Sequence, residues 1–226
     1  GDAIAIGRSS LAALTSGNNN VGVGALALNA NTTASNNTAV GNQALSSNTT
    51  GTQHVGIGSN ALLSNTTGNN NIAVGHSSLD ANTTGSQNVA IGTGSLGAAT
   101  TADNNVAIGY ASLNVNTTGT DNTAVGSSSL ASNTVGNENT AVGNECLDAN
   151  TTGSQNTALG HAALGANTTA SFNTAIGRQA LRDNTTGANN TSVGFNSLLL
   201  NTTGADNTAV GKGALDANTT ASFNAA

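Results

Sequence analysis

Charge is nearly absent from this sequence. Four Lys or Arg and ten Asp or Glu stand among 226 residues, 6% in all, against roughly 25% in an ordinary globular domain. Binding to a phosphate backbone needs several cations close together. No basic cluster occurs and the formal net charge is −6, so no nucleic-acid partner is expected. Apolar runs are as short as those at 3–6 and 11–14, far below the ~20 residues that cross a bilayer, and no membrane insertion is expected. No signal-peptide pattern is present. Proline, methionine and tryptophan are missing, and one tyrosine and three phenylalanines are the only aromatics. A single cysteine, Cys146, excludes an internal disulfide and leaves the redox compartment open.

What remains is ordered by a period. Glycine recurs at Gly7, Gly24, Gly41 and onward to Gly211 in steps of 17, without insertion or deletion, through thirteen copies. With this glycine as position 5 of the repeat, position 9 is Leu and position 13 is Thr in all thirteen copies. Position 4 is always Val, Ile or Leu; positions 1 and 12 are nearly always Asn. Seventeen residues is too short for a pair of packed helices, since helical repeats run about 33 or longer. Asn71-Ile-Ala-Val74 shows the β-branched alternation of a strand, and glycine after it permits a turn. The predicted fold class is therefore all-β: a parallel β-solenoid (β-roll or β-helix) of thirteen 17-residue coils over residues 1–226. At a rung spacing of ~4.8 Å the rod is about 60 Å long.

Sorting residues by position gives a predicted cross-section. Positions 4 and 9 are read as inward columns, with Ile108, Val125 and Val142 in one and Leu113, Leu130 and Leu147 in the other. Position 2 shares the face of position 4. Position 8, always Ala, Ser or Cys, is a tight corner, and Cys146 falls there. The charged residues all occupy positions 6, 7, 10, 11, 16 and 17, which are read as solvated loops. The Asn columns are expected to hydrogen-bond between rungs as in cross-β ladders, with a parallel ladder of Thr hydroxyls at position 13. Position 3 is Ala, Gly or Ser at every site. On this facing it points outward, and a column of tiny residues suits close approach of a neighbouring chain. The alternative is an internal layer within one wide coil.

No constellation for catalysis stands out. His76 and His161 share position 6, whereas His54 lies in an Asn column. Acidic residues are scattered rather than columnar, and neither a G-x-x-x-x-G-K-[ST] loop nor a G-G-x-G-x-D repeat occurs. The expectation is no catalytic, cofactor-binding or metal site, no cofactor, and no enzyme. Ten Asn residues from Asn31 to Asn218 stand in N-T-T sequons, a glycosylation pattern. Rungs ~4.8 Å apart leave no room for a glycan on each, so a structural Asn ladder is the preferred role, with partial glycosylation the alternative. The repeat runs from position 16 at Gly1 to position 3 at Ala226 with no polar cap. An uncapped solenoid exposes its core and strand edges. It is read as a piece of a longer fibre or a subunit that stacks end to end.

Runs such as Asn122-Thr-Ala-Val-Gly126 with Ser129-Leu130, and Asn156-Thr-Ala-Leu-Gly160 with Ala163-Leu-Gly-Ala-Asn-Thr-Thr169, resemble the repeat arrays of phage and large-virus tail fibres and of bacterial surface fibres. The resemblance extends over the whole chain. More distantly, the chain is similar to the head repeats of trimeric autotransporter adhesins. The resemblance implies a homotrimeric structural fibre, extracellular, on a cell surface or on a virion, that holds a host-receptor-binding tip not present in this chain. Such arrays often precede a C-terminal intramolecular chaperone domain, which this sequence does not contain. Two other functions compete. One is an ice-binding Thr-rich solenoid, against which the adjacent Thr columns at positions 13 and 14 point to opposite faces of a strand, without a T-x-T spacing. The other is a side-on receptor- or carbohydrate-binding adhesin, against which no aromatic recurs at every rung.

Overall fold

The computed structural model describes residues 2–226. Among them the regular elements are thirteen short strands and no helix. The chain divides into two compact units, Gly1–Thr118 and Gly119–Ala226. The first holds β1 (Ala3–Ile6), β2 (Asn20–Val23), β3 (Thr38–Val40), β4 (Val55–Ile57), β5 (Ile72–Val74), β6 (Val89–Ile91) and β7 (Val106–Ile108). The second holds β8 (Thr123–Val125), β9 (Thr140–Val142), β10 (Thr157–Leu159), β11 (Thr174–Ile176), β12 (Thr191–Val193) and β13 (Thr208–Val210). Within each unit the strands pair parallel, in chain order and one repeat apart. Ile72 faces Val89 and Val74 faces Ile91 in the first; Thr157 faces Thr174 and Leu159 faces Ile176 in the second. Each repeat is one coil of a parallel β-solenoid, as its period predicts.

The coil closes through backbone conformations that the sequence conceals. After each strand the glycine of position 5 takes a positive φ, +140° at Gly75. A Cβ there would sit 2.6 Å from the Gly92 carbonyl oxygen of the next rung. Conformation and contact each demand glycine. Two residues later, and again at position 9, the chain is left-handed: Ser77 has φ 49° and Leu79 φ 52°. All thirteen leucines of position 9 share this conformation, at φ near 50°. It costs an L-residue roughly 1–2 kcal/mol. Full burial of a leucine side chain, worth about 1.5–3 kcal/mol, offsets that cost. From Leu28 to Leu198 these leucines have no exposed surface.

The leucine column is inward as predicted, and so is the small corner at position 8. The facing of the strand is the reverse of the prediction. Position 3 points in: Ala39, Ala73, Ala124 and Ala175 are completely buried. Positions 2 and 4 point out, and Ile91, Val142 and Ile176 are 38%, 37% and 39% exposed. The interior opposite the strand is already filled by leucine. A Cβ on Gly56 would meet Leu45 Cδ1 at 3.1 Å and Cγ at 3.3 Å. Only Ala, Gly or Ser fits there, and the β-branched residues on either side turn to the surface. Position 3 is small because of the chain's own leucine, not because of a neighbouring chain.

Candidate functional site

Buried asparagine columns at positions 1 and 12 line the interior of each unit. At position 12, Asn65 Nδ2 donates to Asn48 Oδ1 (2.9 Å), Asn82 Nδ2 to Asn65 Oδ1 (2.7 Å), and the pattern recurs from Asn150 to Asn218. The same amide closes its own coil by donating to the carbonyl three residues on, Gly85 for Asn82. At position 1 the side-chain oxygen accepts the backbone N–H of the next rung. Asn88 N–H donates to Asn71 Oδ1 and Asn156 N–H to Asn139 Oδ1, both at 3.0 Å. These columns are the expected ladders. Thr at position 13 departs from the expectation, because its hydroxyl donates to the backbone carbonyl of the next rung rather than to another hydroxyl, as from Thr83 to Thr100 and Thr151 to Thr168. The sequon asparagines from Asn31 to Asn201 are fully buried with their amide nitrogens engaged. No glycan can be attached to them in the folded state.

Two substitutions in the columns follow from the same geometry. His54 replaces Asn at position 1 and keeps its role. Its Nδ1 accepts the Asn71 N–H at 3.2 Å, and its ring also contacts the Gly68 carbonyl. Burial lowers its pKa from 6.5 to about 4, so the ring is a neutral core acceptor. Ala99 replaces Asn at position 12 and breaks the ladder. The Asn82 side-chain oxygen beneath it is buried without a hydrogen-bond partner. Cys146 sits in the tight corner with its thiol 3.2 Å from the Ala158 carbonyl, and burial pushes its pKa up to about 12. That is a structural thiol, unable to form thiolate near neutrality. Among the described residues no three His, Cys, Asp or Glu side chains gather as a metal site would require.

The outer half is the exposed side of the sheet. Each rung presents two outward side chains, at positions 2 and 4, and none is charged. In the first unit position 2 is aliphatic except at Thr38; in the second it is Thr at all six strands, from Thr123 to Thr208. Position 4 is Val, Ile or Leu throughout. The result within each unit is an outward face of uncharged, mostly β-branched side chains at fixed spacing, with the charges displaced to the corners and loops. No reading of hydropathy alone finds this face, because period-2 alternation with apolar residues in both phases does not say which phase is inside. The leucine contact at position 3 settles it. Comparison with protein-family models, with curated proteins and with solved structures finds no match for the chain.

Proposed function

We propose that this chain is the shaft of a structural fibre, without catalysis, whose copies associate in parallel through the outward face of the sheet. The observation that carries the proposal is the uncharged surface of Val, Ile, Leu and Thr at positions 2 and 4 of the strands. An exposed apolar column at position 4 that recurs from rung to rung is the kind of surface that marks an interaction site. Parallel association matches each rung with its equivalent in the partner, so the period that builds the coil also sets the register between coils. A homotrimer on an outer cell surface or a virion is what the family resemblance adds, together with a receptor-binding tip elsewhere in the fibre.

Sedimentation equilibrium tests the association. The wild-type chain is expected at three times its own mass and Val142→Asp at the monomer mass, with an unchanged β-sheet circular dichroism spectrum. Val142 is outward, so the charge does not disturb the coil. A wild-type chain that stays monomeric at high concentration overturns the proposal.

A second reading has one observation in its favour. In the second unit Thr at position 2 and an aliphatic residue at position 4 face outward one residue apart. That gives one regular outward Thr column beside an aliphatic one, an outward pairing that the adjacent columns at positions 13 and 14 do not provide. Inhibition of ice recrystallisation by a monomeric wild-type chain, lost in Thr157→Asp, decides for this reading.

A further inference from the structure

All four aromatic residues of the chain lie on its surface. Tyr110 is 65% exposed, Phe172 59%, Phe195 39% and Phe223 83%. An aromatic side chain is ordinarily the largest contributor to a core. This core uses none, and Leu, Ala and Asn fill it instead. Two of the rings also stand where the backbone resists them. Phe172 and Phe223 occupy position 17, where the chain is left-handed at every rung from Asn19 onward, with φ 63° and 61°. Elsewhere this position holds Asn, Gln, Asp or Glu. Asn and Asp tolerate the left-handed region best, and a bulky residue there is an outlier. At the leucines of position 9 burial offsets this strain, whereas these two rings are exposed and nothing within the chain offsets it.

The two rings share one column of the second unit, three rungs or ~14 Å apart. Asn189 and Asp206 stand between them. Asn189 Nδ2 donates to Asp206 Oδ1 at 3.1 Å, which leaves Asn189 Oδ1 and Asp206 Oδ2 without partners in the chain. The backbone of the column is pinned rung to rung: Phe172 N–H donates to Ser154, Asn189 to Ser171, Asp206 to Ala188 and Phe223 to Ala205. The preceding residues, Ser171, Ala188, Ala205 and Ser222, are small and shield neither ring.

We infer that this column is a binding surface for an uncharged glycan chain lying along the solenoid axis. Phe172 and Phe223 supply apolar platforms for the C–H faces of two sugar rings. Asn189 Oδ1 and Asp206 Oδ2 accept hydroxyl protons from the sugars between them. The column carries no cation, and its Asp206 carboxylate repels polyanions. The chemistry selects neutral sugars over sulfated or uronic ones. This surface goes beyond the shaft role, because it gives the side of the fibre an affinity of its own.

Affinity electrophoresis of the whole chain in native gels containing hydroxyethyl cellulose, mannan or galactomannan tests the inference, with dextran sulfate as the polyanionic arm. Wild type is expected to be retarded in at least one neutral gel and not by dextran sulfate. Phe172→Asn and Phe223→Asn place in the column the residue that other rungs carry, so both variants fold. Each is expected to weaken binding roughly tenfold, as truncation of an aromatic anchor does; the double variant is expected to migrate freely. Wild type unretarded in all three neutral gels overturns the inference, as does a double variant retarded like wild type, or retardation by dextran sulfate alone. Sedimentation of the double variant separates this surface from the face between chains. Association is expected to be unchanged, and its loss would assign the rings to the assembly instead of to a glycan.

Discussion

Ala99 interrupts the Asn ladder of the first unit, and restoring it measures what one ladder step contributes. Below the gap the Asn82 side-chain oxygen is buried and unpartnered. An unsatisfied buried acceptor costs about 1–3 kcal/mol. Asparagine at 99 would donate to that oxygen, as Asn82 Nδ2 does to Asn65 Oδ1 at 2.7 Å, and to the Ala102 carbonyl, as Asn82 does to Gly85 at 2.9 Å. Ordering the new side chain costs on the order of 1 kcal/mol. The net expectation for Ala99→Asn is a gain of about 1–2 kcal/mol. For a chain of this length each kcal/mol moves the melting temperature by roughly 2–4 °C. Thermal unfolding followed by circular dichroism is the assay, with Asn65→Ala as the opposite perturbation. That change removes the donor to Asn48 Oδ1 and the acceptor of Asn82 Nδ2 together, and is expected to destabilise by about 2–4 kcal/mol. A melting temperature that is unchanged or lowered in Ala99→Asn refutes the reasoning, since the gap would then cost nothing.

The remaining predictions concern the His54 core and the facing of the strand. Between pH 6.5 and about 4 the unfolded chain binds a proton at His54 that the folded chain does not, so stability is lost as pH falls through that window, by on the order of 3 kcal/mol. Denaturant unfolding at stepped pH should show this slope in wild type and a flatter one in His54→Asn, which restores the column residue; parallel slopes would exclude His54 as the cause. Ala124→Leu forces a large side chain into the leucine-filled interior, where overpacking costs roughly 1–3 kcal/mol. Its destabilisation should appear in chemical denaturation and be independent of protein concentration, whereas a concentration-dependent loss would return position 3 to an interface between chains.

The sequence by itself determined the period, and through it most of the coil. A glycine every 17 residues, with an invariant leucine four positions later, specifies one coil per repeat, because parallel stacking brings identical residues together. The Asn columns were legible for the same reason, since an amide is both donor and acceptor and pairs with its own copy one rung away. So were the loops, where every charge falls, and the core substitution at Cys146. The replacement of Asn by His54 was visible as an anomaly of its column, although its role as a neutral acceptor was not.

Only the tertiary structure decided which side of the strand is the outside. Alternation of Val, Ala and Val predicts a strand and is silent about its facing. The larger residues were the natural choice for a core, yet Leu45 and its equivalents already occupy the space opposite position 3. The left-handed turns that carry those leucines inward were hidden as well, because leucine has no preference for them and burial alone sustains them. The same is true of the two strained phenylalanines: the sequence shows where they stand in the repeat, and the coil is what lines them up on one exposed column. The physical reason is common to all three. The repeat records which residues meet their own copies between rungs, and the interior of a coil is shaped by contacts across it, between positions that the period does not relate.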